Sequence, residues 1–175
     1  DYLKKNKSVT LTNYGEFLAK FPPQYEIQIH ENSSWSCVHG VERWRSNCGC
    51  SDGGNPGFHQ QWRAPLRNAL NWLKEKADVV FETEMLPFTP SPWDLRNHYI
   101  DIVNNRTESV IQQFFASHFP TKIAEAHKIK MIRLLEMQRH AMLMFTSCGW
   151  FFDEVSRIET KQILQYADRV IQIAE

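Results

Sequence analysis

A chain of 175 residues with 42% hydrophobic content is long enough to bury one core without a disulfide framework. Twenty Lys and Arg balance twenty Asp and Glu, which excludes nucleic-acid binding through a broad basic face. No apolar run approaches the roughly 20 residues of a membrane span, and the polar stretch Asp1 to Ser8 is no signal peptide, so the expectation is a cytoplasmic protein with neither a membrane nor a nucleic-acid partner.

In chain order, Thr12 to Phe21 reads as a short helix with Thr12 as N-cap and Tyr14, Phe17, Leu18 and Phe21 at helical spacing, stopped by Pro22 and Pro23. Tyr25 to Ile29 alternates apolar and polar, which predicts a half-buried strand. From Glu31 to Phe58 periodicity disappears and turn formers dominate. This stretch carries Trp35, Trp44, three cysteines, His39, Glu42, Arg43 and Arg45, too rich in aromatics for disorder, so it reads as an ordered functional loop.

Helical periodicity fills the rest. Trp62, Leu66, Ala69, Leu70, Leu73, Ala77 and Val80 mark a long amphipathic helix with Pro65 near its start. Ser91-Pro92-Trp93-Asp94 is a helix start. A helix over 107–119 follows, then a long one from about Lys122 to Phe145. Cys148-Gly149-Trp150-Phe151-Phe152 interrupts the pattern, Ser156-Arg157-Ile158-Glu159 reads as a capping box, and the last helix runs to about Ala174. The expected fold is mainly α: a bundle of about five or six helices with a small β element and a long ordered loop near the N-terminus. The chain reads as a single domain, with a helix and strand over 1–30, the Cys/Trp-rich loop over 31–58 and the bundle over 59–175.

No phosphate-binding glycine loop, Gly-x-Ser-x-Gly or His-Glu-x-x-His is present. Cys37, His39, Cys48 and Cys50 offer a donor set suited to tetrahedral zinc. Their spacing, Cys-x-His followed by Cys-x-Cys, is not the paired Cys-x-x-Cys knuckle. The residue reading therefore prefers buried small side chains and expects no cofactor, with zinc on these four as the alternative. Asp153 and Glu154, ahead of a helix, read as charges placed for its dipole. Trp35, Trp44 and Trp150 lie in loops rather than on helix faces, as flat rings for a sugar to stack on, with His39, Arg43 and Arg45 as nearby donors.

The order of these features resembles glycoside hydrolase family 57. Gly15-Glu16-Phe17-Leu18, Phe21-Pro22-Pro23, Ser34-Trp35 and Trp44 are similar to the segment that follows the catalytic barrel in that family, where glucan branching enzymes have a Glu-Tyr-Leu helix, Pro-Pro and a Ser-Trp-Gly turn. Thr146-Ser147-Cys148-Gly149-Trp150-Phe151-Phe152 resembles the family's late Ser-Ser-Asp-Trp-Pro-Phe motif. The runs His30 to Cys50 and Phe145 to Glu154 look most like a bacterial subgroup whose C-terminal region is a domain of unknown function. Gly149 stands where the branching enzymes have Asp, and Ser36 where they have Gly.

The resemblance implies a helical C-terminal domain that roofs the cleft of an α-glucan-active enzyme. The catalytic carboxylates would lie on an N-terminal barrel of the same parent chain, joined through residues 1–30, and this chain would have no catalytic residue. Trp35, Trp44, Trp150, His39 and Arg43 are then the substrate-binding candidates, and an α-glucan or oligosaccharide the ligand. The alternative is a non-catalytic interaction or metal-binding module whose Cys/His loop is structural.

Overall fold

The structure is a computed structural model and describes residues 2–6 and 8–175. It divides into two compact units, 1–32 and 33–175. In the first, helix α1 spans Tyr2–Lys5 and α2 spans Tyr14–Lys20. The cap of α2 is Asn13 rather than Thr12: its side-chain oxygen accepts from the Glu16 N–H at 2.9 Å, while the Thr12 hydroxyl reaches the Glu16 carboxylate at 2.9 Å. No residue of α2 is buried, and Tyr14, Phe17, Leu18 and Phe21 are all exposed.

The small β element is not formed. Tyr25 to Ile29 has no strand pairing, and among the described residues there is no strand at all. Tyr25, Ile27 and Ile29 are exposed. Alternation alone cannot make a strand, because each backbone N–H and C=O needs a neighbouring strand to pair with, and nothing else in the sequence supplies one.

The second unit is helical. After a one-turn 3-10 helix at Glu42–Trp44, it contains α3 (Arg63–Met85), α4 (Pro92–His98), α5 (Ile100–Asn104), α6 (Glu108–His118), α7 (Glu125–Leu143), α8 (Cys148–Phe151) and α9 (Ile158–Ala174). The long helices α3, α7 and α9 pack on one another, and α8 is wedged against α9. Their apolar stripes bury Ala77, Phe81 and Met85 of α3, Met131, Leu135 and Met137 of α7, and Ile163, Ala167 and Val170 of α9. At about 25 cal/mol per Å² of apolar surface, the Phe, Met, Leu, Ile and Val side chains among these contribute roughly 1.5–3 kcal/mol each.

The α9 start differs from the capping-box expectation. Arg157 holds the N-cap position and no side chain caps the helix; the Ser156 N–H donates to Glu154 instead, at 2.7 Å. No helix among the described residues is long and apolar enough to cross a membrane.

Candidate metal centre and the surface around it

The loop before α3 brings Cys37, His39, Cys48 and Cys50 together, with one ligand atom from each and all four atoms within 4.8 Å of one another. Cys37 Sγ lies 3.9 Å from Cys50 Sγ and 3.8 Å from His39 Nδ1, and Cys50 Sγ lies 3.5 Å from that nitrogen. The cysteines are free thiols, and the sulfur separation is far beyond the roughly 2.05 Å of a disulfide bond.

Two tight turns make this possible. In the first, the Gly40 N–H donates to the Cys37 carbonyl at 3.2 Å, folding Cys37-Val38-His39 back on itself. In the second, Gly49 adopts φ +78°, a left-handed conformation that a side chain disfavours, and this sets Cys48 and Cys50 on the same side of the chain. Burial pushes the Cys37 thiol up. The backbone and side chain of His39, the Arg43 backbone and the Cys50 thiol outweigh it and bring Cys37 down to about 7. Burial pushes Cys50 up, and the crowding sulfurs of Cys37 and Cys48 push it further.

A buried polar layer holds the cluster on the bundle. Arg43 donates to the Cys50 carbonyl at 2.9 Å and lays its guanidinium over the Phe151 ring. Gln60 donates to the Cys50 carbonyl and to Asp153, both at 2.7 Å, and accepts from the Gly49 N–H at 3.1 Å. Arg63, on the first turn of α3, is fully buried; it donates to the carbonyls of Phe151 and Phe152 at 2.8 and 2.9 Å and approaches Cys48 Sγ at 3.9 Å. Asp153 is buried rather than placed for a helix dipole. It accepts from the Ser51 hydroxyl at 2.6 Å and the Asp52 N–H at 2.8 Å, and it pairs with Arg63 at 3.9 Å. Burial alone would raise its carboxyl; these donors hold it below the usual carboxylate range.

The sugar-binding candidates separate sharply. Trp150 has no exposed surface. It stacks on Trp62, donates its indole N–H to the Met144 carbonyl at 3.2 Å and belongs to the core, so it has no ring face to offer a ligand. Arg43 is equally committed to Phe151 and Cys50. Trp44 is half-buried, with its N–H donated to the Ser147 carbonyl at 3.0 Å. His39 faces the cysteines. Trp35 is 91% exposed and stacks on Phe151, ring centroids 6.2 Å apart, and it alone of these residues presents a free aromatic face.

Sequence reasoning missed Gln60, Arg63 and the role of Asp153. Arg63 carried a weak signal, a cation at the head of an apolar helix face, but its partners are distant in sequence.

A family model described as "Domain of unknown function (DUF3536)" matches residues 58–175, more than half of the chain. The chain belongs to this DUF3536 family. The matched stretch covers the helical bundle and starts after the Cys/His loop, and the family's description states no activity. Among curated proteins and among solved structures nothing matches it.

Proposed function

We propose that this chain is a non-catalytic helical module of an α-glucan-active, family-57-like enzyme, and that it contributes Trp35 to the roof of the substrate cleft. One observation carries the reading. Within the second unit, two of the stretches that carry the resemblance, 33–50 and 145–154, pack against each other through Trp44 with Ser147, Arg43 with Phe151 and Trp35 with Phe151, so they form one surface. An exposed indole buttressed by a second ring is the arrangement a sugar ring stacks on. The exposed apolar residues of α2 supply a face for the junction to a barrel. The carboxylates that break or form the glycosidic bond belong to that barrel. Of the original candidates, Trp35 keeps the binding role, and Trp44 and Arg43 support the surface from behind.

The second reading, an interaction or metal-binding module, is favoured by the four converging ligand atoms. The two are compatible, because a metal-held loop can carry the exposed ring.

The test is Trp35→Ala in the protein that carries the barrel. Loss of about 0.5–1.5 kcal/mol of ring stacking lowers kcat/KM on maltooligosaccharides by about twofold to tenfold, with the melting temperature unchanged, and the purified chain alone shows no turnover. Full activity of Trp35→Ala, turnover by the isolated chain, or a gene without a barrel would each overturn the reading.

A further inference from the structure

We infer that Cys37, His39, Cys48 and Cys50 bind one structural zinc ion, which locks the loop onto the helical unit. This goes beyond the glucan reading and does not depend on it.

The three edges among Cys37, Cys50 and His39 are those of a tetrahedral site. Zn–S bonds of about 2.3 Å and Zn–N bonds of about 2.0–2.1 Å require sulfur–sulfur edges of about 3.8 Å and sulfur–nitrogen edges of about 3.6 Å. The observed edges are 3.9 Å between Cys37 and Cys50, and 3.8 and 3.5 Å from these sulfurs to His39 Nδ1. Cys48 completes the set, its ligand atom within 4.8 Å of the other three. Three soft sulfurs and an imidazole in a tetrahedron select zinc over the hard, oxygen-seeking cations. Four protein ligands leave no open position for substrate or water, which makes the site structural rather than catalytic.

Charge points the same way. Among the described residues, the buried charged side chains are Arg43, Arg63 and Asp153, and all three surround this loop. Two cations against one anion leave one positive charge without compensation, and neither Arg43 Nε nor Arg63 Nε has a hydrogen-bond partner. A divalent zinc with three thiolates and a neutral imidazole carries one negative charge, which balances the group. Arg63 beside Cys48, and Gln60 and Arg43 on the Cys50 carbonyl, are the outer groups that orient metal ligands and tune their basicity.

Cys-x-His with Cys-x-Cys is an unusual ligand spacing, and by itself it favours buried small side chains. Spacing fixes only which ligands are near neighbours along the chain; the two turns decide whether the pairs meet.

The chain, purified from zinc-supplemented cells without chelator, is measured by elemental analysis. The expected result is close to one zinc per chain, lost in Cys48→Ser and Cys50→Ser and kept in Cys148→Ser, since Cys148 is exposed and outside the cluster. A serine variant that fails to fold would lose zinc for a trivial reason, so the second measurement uses the unmutated chain. Metal-stripped protein titrated with cobalt(II) is expected to develop the intense visible bands of tetrahedral cobalt and sulfur-to-cobalt charge transfer, saturating at one equivalent and abolished by one equivalent of zinc. Zinc below about one atom in five chains, or a cobalt spectrum no stronger than that of the hydrated ion, overturns the proposal. No glucan enters either measurement, so failure here is distinct from failure of the Trp35 test.

Discussion

Trp150 lies against Trp62 with ring centroids 6.1 Å apart and 18° between the planes, and its indole is wholly buried. This pair joins α8 to the residue that precedes α3 and closes the core beneath the Cys/His loop. Trp150→Ala removes a large fully buried side chain and leaves the Met144 carbonyl without its indole donor. We expect a loss of about 3–5 kcal/mol in denaturant unfolding. A loss under about 1 kcal/mol, within the range of surface substitutions, would contradict the core assignment and return Trp150 to the cleft.

Gly149 is set by packing rather than by backbone conformation. A Cβ built there would stand 2.5 Å from Ile163 Cγ2 and 3.0 Å from the Glu159 carbonyl, so α8 rests directly on α9. Gly149→Ala should destabilise by about 1–3 kcal/mol through overpacking. At Gly49 an added Cβ meets nothing within 4 Å, and only its φ of +78° resists substitution. Gly49→Ala should therefore cost about 1–2 kcal/mol of backbone strain. A crystal structure of each variant checks the difference: α8 displaced in Gly149→Ala, and α8 unmoved in Gly49→Ala.

Glu136 on α7 accepts from the Tyr99 hydroxyl and the Arg106 guanidinium, with Arg139 beside it. Burial would raise its carboxyl; the Tyr99 hydroxyl, Arg106 and Arg139 outweigh it and hold it below the usual range. A depressed carboxylate stabilises the fold fully above its unfolded pKa of about 4.3, and that contribution is lost as pH falls through the folded value. The stability difference between the chain and Glu136→Gln should be constant near neutrality and shrink as the pH falls below about 4. A difference that stays flat or grows as the pH falls below about 4 would show that Glu136 is not ionised in the fold. Protonation of the Cys/His loop in acid affects both proteins alike, whereas His140, 3.8 Å from the Glu136 carboxylate, adds to the difference once protonated, so the test is read below about pH 4.

How much of this was legible in the sequence depends on the range of the forces involved. Helical periodicity placed the three long helices to within a few residues, because an amphipathic stripe is written locally in residues three and four apart. The aromatic, turn-rich stretch 31–58 was recognisable as ordered for the same local reason: disordered segments rarely carry such rings. Local pattern misled where a partner was needed, since the alternation of Tyr25, Ile27 and Ile29 has no second strand to pair with and Ser156 lies one residue outside the cap position. What only the tertiary structure decided is the fate of single side chains in stretches without a period. Trp150 became a core residue because α3 brings Trp62 to it, and Asp153 became a buried anchor because Ser51, Asp52, Gln60 and Arg63 converge on it. Cys37 and His39 meet Cys48 and Cys50 because two glycine turns and the Arg43 and Gln60 hydrogen bonds fold the loop back, and no spacing rule along a chain encodes a closure of that kind.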